Sequence, residues 1–144
     1  MKPSALFFER IWPYLGACIC LAAWAHFGER RFPETPDNLL AATGNTVAVL
    51  VGFLAASKAI VLSISESRVF ERLKQAGYND LLFSYFYQGI SWGICFLAVS
   101  IFGFFFSNRA PPDWYKFAWV YLAFLSFFCF IRVVKILFKL LRWV

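Results

Sequence analysis

The chain has 144 residues, of which 61% are hydrophobic, 22% aromatic and only 15% charged, with a formal net charge of +6. Soluble domains average roughly 45–50% apolar and 25% charged residues, so this composition excludes an ordinary soluble enzyme. The length leaves room for one bundle and no separate catalytic domain, and the basic residues sit beside apolar runs as topology signals, so no direct nucleic-acid binding is expected.

Four apolar runs fill most of the chain, at about residues 11–27, 39–64, 81–106 and 114–138. Each approaches or exceeds the ~20 residues that a helix rising 1.5 Å per residue needs to cross a ~30 Å hydrocarbon layer. Inside such a layer backbone polar groups have no water to bond, so each run is predicted to close its hydrogen bonds as a helix. The expected fold is all-α: a polytopic membrane protein whose single domain, residues 1–144, is a four-transmembrane-helix bundle. The first run follows Glu9 and Arg10 and ends at Glu29 without a small-x-small cleavage site, so it is expected to stay in the mature chain.

The second run carries Gly44, Ala48, Gly52 and Ala56 at intervals of four, a face on which helices approach closely. It also holds Lys58, whose meaning depends on register. If the helix enters at Leu39, Lys58 falls about 28 Å further on, near the inner interface, where its stem can snorkel. If Thr43 to Thr46 form the outer end, it lies near mid-membrane and marks a pathway or a pair, and a pore-lining lysine would favour anions.

The connector from Ser65 to Asp80 has no proline, and Val69, Phe70, Leu73 and Ala76 recur at roughly helical spacing among charged residues. The second helix is therefore predicted to extend into the cytoplasm as far as Gln75, with Gly77 as its C-cap and Asn79 or Asp80 capping the third helix. This tip is either a solvated hairpin or a docking and gating element carrying Arg68, Arg72, Lys74, Gly77 and Tyr78.

On the third run Ser84, Gln88, Ser91 and Cys95 share one stripe, and Gly89 and Gly93 form a small-x-x-x-small pair. The polar groups either bond neighbouring helices or, with Lys58, line a pore that a protomer this thin can build only as a homo-oligomer. The fourth run ends in Arg132, Lys135, Lys139 and Arg142, at i, i+3, i+7 and i+10. That basic stripe suits contact with the anionic membrane lipids of the inner leaflet, or with an acidic cytosolic partner.

Orientation follows from the remaining basic residues. With the N-terminus inside, Lys2, Arg10, Arg68, Arg72, Lys74, Arg132, Lys135, Lys139 and Arg142 are cytoplasmic, and Arg30, Arg31, Arg109 and Lys116 are outside. Nine against four favours both termini in the cytoplasm of a bacterial inner membrane. Trp24, Phe27, Trp114, Tyr115 and Trp119 would form the outer aromatic belt, and Trp12, Tyr14, Tyr78 and Trp143 the inner one.

The stretch from Leu40, Ala41, Ala42 and Thr43 through Ser65, Arg68, Arg72 and Lys74 to Gly77 and Tyr78 resembles the RexB family of phage-exclusion membrane proteins. That family has a Leu-x-Ala-Thr entry, a serine with a basic cluster, and Gly-Tyr before the third of four spans. The resemblance covers residues 40–78 and implies a pore-type effector of superinfection exclusion or abortive infection. Such a protein leaks ions when a cytosolic sensor from the same operon signals infection. Lys58 stands where that family carries no charge.

An enzyme is not expected. Cys18 and Cys20 are two apart rather than paired as Cys-x-x-Cys, and Cys95 and Cys129 lie in apolar runs. His26 has no second ligand at metal-binding spacing, and no cofactor is implied. Two readings of different class follow: an oligomeric ion channel of anti-phage defence, or a non-conducting interaction protein such as a bacteriocin-immunity-like or assembly subunit.

Overall fold

The computed structural model describes residues 3–28, 33, 36–63, 78–106 and 111–141, with side chains for 8–28, 33, 36–63, 81–106 and 111–138. These residues form helices α1 (Pro3–Phe27), α2 (Asp37–Ser63), α3 (Tyr78–Gly103) with a 3-10 turn at Phe104–Phe106, and α4 (Asp113–Leu141). No strand occurs among the described residues.

Prolines and aspartates set the starts of α2 and α4. The Pro36 carbonyl accepts from the Leu40 N–H at 2.8 Å, and the Pro112 carbonyl from Tyr115 and Lys116 at 3.0 and 3.3 Å. Asp37 and Asp113 then place negative charge in each first turn, beside the positive end of the helix dipole. Helix α1 begins with Pro3, at a position where the missing N–H costs nothing, and so starts well before residue 11. It also contains Pro13, whose ring leaves the Glu9 carbonyl without its helical donor.

Among the described residues, three helices are long and apolar enough to cross a membrane: α2, the stretch Leu81–Phe106 and the stretch Asp113–Phe138. Helix α1 has 25 residues, but Trp12, Pro13, Tyr14, Trp24 and His26 dilute its apolar run. The packing follows a different order: α3 lies between α2 and α4, α1 packs on α4, and α2 touches α4 only slightly. Leu40 and Val47 of α2, Phe96 of α3, and Tyr115, Trp119 and Val120 of α4 form one core cluster. Leu54, Leu82, Tyr85, Phe86 and Val133 form the next along the axis. Residues of α2, α3 and α4 share these two clusters, with α3 and α4 as the central pair of the bundle. Helix α1 packs against α4 through Ala17, Leu125 and Cys129, and Trp12 meets Phe128 edge-on at 5.5 Å. Outward-facing Phe8, Ile19, Val49, Tyr87, Phe105 and Phe138 leave a broadly apolar exterior.

Two expectations change here. Tyr115 is 1% exposed and Trp119 8%, so they belong to the core, whereas Trp114 faces out. The Tyr115 hydroxyl donates to the Val99 carbonyl at 3.0 Å and the Trp119 indole to Ser100 Oγ at 3.1 Å, which gives both polar tips partners inside the bundle. Helix α3 is helical from Tyr78, so Asn79 and Asp80 lie within its first turn rather than capping it. The predicted cytoplasmic extension to Gln75 and its Gly77 cap lie outside the described residues.

Candidate functional site

Helical spacing on α4 puts Leu125, Cys129, Arg132 and Val133 on one inward face, at i, i+4, i+7 and i+8. Arg132 is therefore enclosed, 2% exposed, and does not share the outer surface of Lys135. This corrects its place in the lipid-facing basic stripe. It also makes Arg132, like Lys58, a charge set within an apolar helix rather than at its end. It lies six residues before Phe138, the end of the apolar stretch, or ~9 Å along the axis.

Two contacts hold the guanidinium. Nη2 donates to Gln88 Oε1 of α3 at 2.7 Å, and Cζ sits 4.0 Å from the centroid of the Tyr85 ring, one turn earlier on α3. A hydrogen bond to a charged group contributes ~1.5–3 kcal/mol, and a desolvated cation–π contact ~2 kcal/mol. Together they offset the ~2.5–3.5 kcal/mol that insertion scales assign to arginine in the hydrocarbon layer. They leave Nε and Nη1 buried without a partner among the described residues, and the buried Tyr85 hydroxyl likewise. No ion pair joins a carboxylate to Arg132 among the described residues.

The polar stripe on α3 is divided by this arrangement. Ser84 and Cys95 are exposed and Ser91 is half-buried, while Gln88 turns toward α4. Lys58 is half-buried, four residues beyond buried Leu54, and five residues, ~8 Å, before the end of α2 at Ser63. At that position a lysine stem can reach the end of the apolar layer. Lys135 is exposed with its Nζ 5.5 Å from the Trp12 ring centroid. Lys139 belongs to α4, but its side chain lies outside the description, as do Arg142, Arg68, Arg72, Lys74 and Gly77; Tyr78 opens α3.

The small residues also separate into two groups. A Cβ on Gly89 would meet the Leu54 side chain at 3.1 Å and Val133 at 3.7 Å, so this glycine permits the close contact of α3 with both α2 and α4. Gly93 likewise abuts Val51. Gly44 has only Leu97 nearby, at 3.9 Å, and a Cβ on Gly52 would meet nothing within 4 Å. Ala48, Gly52 and Ala56 face outward from α2, away from the core of the bundle.

Tyr85 is the member of the site that sequence reasoning missed. Its signal is its position three residues before Gln88, which places both side chains on neighbouring parts of one helix face. No group of three or more His, Cys, Asp or Glu that could hold a metal occurs among the described residues. Comparison with family models, with curated proteins and with solved structures finds no match to this chain.

Proposed function

We propose that this chain is a four-span protein of the bacterial inner membrane, with both termini cytoplasmic, that acts as a homo-oligomeric ion-permeation effector in anti-phage defence. The observation that carries the reading is the Arg132–Gln88 pair between α3 and α4. Charge and amide groups within apolar helices are expensive and mark pathways or switching elements. The RexB-like block from Leu40 to Tyr78 supplies the biological context, with a cytosolic sensor from the same operon acting at Arg68, Arg72 and Lys74. The outward face of Ala48, Gly52 and Ala56 suits contact with a second copy of α2.

In this reading ions pass along the outward stripe of α3, where Ser84 and Ser91 lie, once protomers assemble around it. Gln88 is then not a wall residue but the link that holds α3 to α4.

Uptake of a potential-sensitive dye by cells carrying the chain and its operon neighbours tests the proposal. Phage infection should depolarise the inner membrane, and Arg68→Ala with Arg72→Ala should abolish the response without lowering the amount of protein. An unchanged potential on infection, with the wild-type protein abundant in the membrane, would replace this reading with a non-conducting interaction protein whose α2 face binds another membrane chain.

A further inference from the structure

We infer that the Asn45 amide is a membrane-embedded clasp between two copies of this chain. Parallel α2 helices pack along the line of Ala41, Asn45, Ala48, Gly52, Ala55 and Ala59, and the two Asn45 side chains bond each other across a two-fold axis. The inference deepens the homo-oligomeric reading above and rests on that part of it, not on ion permeation.

Asn45 is exposed, and among the described residues its side chain has no hydrogen-bond partner. Its polar neighbours differ. The Thr43 hydroxyl donates to the Leu39 carbonyl at 2.7 Å and the Thr46 hydroxyl to the Ala42 carbonyl at 2.9 Å, so both are closed on their own helix. Nor does Asn45 sit at the rim of the apolar surface. Adjacent Gly44 faces Leu97 of α3, and exposed Phe104 and Phe105 lie seven and eight residues beyond Leu97, about 11 Å along the axis. The apolar exterior thus continues well past Asn45. An amide that can donate twice and accept twice is held where acyl chains offer it nothing.

The surface around this amide is equally unlike a lipid-facing one. Helix α3 presents Tyr87, Ile94 and Ile101 to the exterior at intervals of seven, whereas α2 presents Asn45, Gly52 and Ala59 at the same intervals. The line from Ala41 to Ala59 advances in alternating steps of four and three, which is the spacing of a packed helix seam, and it carries no charge. It lies opposite Leu40, Val47 and Leu54, which α2 turns into its own bundle. Small side chains let two backbones approach closely enough for an amide on the seam to reach its mate. A second copy is the occupant that fits without further condition. The same chain inserted in the same direction brings its Asn45 to the same depth, and an amide, donor and acceptor at once, complements itself.

Two measurements on the full-length protein in liposomes test the clasp. In a variant whose four cysteines are replaced by alanine, Ala48→Cys or Ala55→Cys should cross-link on mild oxidation, whereas Ile60→Cys and Tyr87→Cys, exposed but off the line, should not. The second is energy transfer between copies carrying donor or acceptor fluorescent proteins after Val144, followed over a range of protein-to-lipid ratios; it needs no cysteine replacement and stands if that variant fails to fold. Asn45→Val should raise the dissociation constant roughly three- to twenty-fold, as expected for one interhelical hydrogen bond in a membrane, and Asn45→Gln should stay close to wild type. A wild-type protein that is monomeric at every ratio overturns the inference together with the homo-oligomeric reading. Oligomers that cross-link through Ile60→Cys or Tyr87→Cys and not through Ala48→Cys overturn the clasp alone. So does an Asn45→Val protein that associates as tightly as wild type, and in both cases the homo-oligomer stands through another face.

Discussion

Replacing Gln88 by leucine isolates what holds Arg132 in place. The substitution deletes the one acceptor bonded to the guanidinium, at 2.7 Å, and leaves a buried charge with the Tyr85 ring as its remaining contact. We expect a loss of about 1.5–3 kcal/mol, the range for hydrogen bonds to charged groups. The double variant Gln88→Leu with Arg132→Met should recover most of that loss, because removing both partners of a buried polar pair leaves no orphan. Thermal unfolding in detergent measures both; losses that simply add would show that the residues are not coupled. Sequence alone left Gln88 open between bonding a neighbouring helix and lining a pore, and put Arg132 in a basic stripe facing lipid or a cytosolic partner, because each was read on its own helix; the pair matches the first alternative for Gln88. Their meeting depends on the rotation of α3 against α4, which no single-helix pattern contains. Mutating Gln88 is consequently a poor probe of conduction, and Ser84→Ala with Ser91→Ala is the cleaner one.

At the level of helices, two glycines that look alike in sequence have opposite surroundings. Gly89→Leu should destabilise the protomer, since even a Cβ would lie 3.1 Å from Leu54. Gly52→Leu should leave the protomer intact, because nothing lies within 4 Å of that position, and should act only on assembly. Native mass spectrometry together with an unfolding curve separates the two effects. A Gly52→Leu protein that melts with the Gly89→Leu variant would place Gly52 inside the fold. Helix existence was legible because apolar runs of this length, bounded by proline and charge, leave little alternative. Helix rotation was not. When lipid-facing and core-facing surfaces are equally apolar, the 3.6-residue periodicity that locates a core in soluble proteins fades. Tyr115 and Trp119 illustrate this: both suit an aromatic belt, and both are buried by partners at Val99 and Ser100 that the sequence does not announce.

For the whole molecule, the packing of α1 along α4 bears on topology. Helix α1 is the least apolar of the four expected spans, yet its contacts with α4 run from Trp12 to Trp24, which meets Phe117 at 5.7 Å. An α1 aligned with α4 over that length has room to cross the same layer, and in the proposed four-span topology the nine-to-four bias of Lys and Arg would put Val144 in the cytoplasm. A fluorescent-protein fusion after Val144 should shine and an alkaline phosphatase fusion there should be inactive; the reverse would overturn the cytoplasmic placement of the C-terminus. The measurement closest to the central claim is ion flux through purified protein reconstituted in liposomes of anionic and zwitterionic lipid under a potassium gradient. The account predicts a protein-dependent flux that depends on assembly and falls in Gly52→Leu. A fully incorporated, oligomeric wild-type protein that leaves the liposomes as tight as protein-free controls, with the sensor protein added, would contradict it.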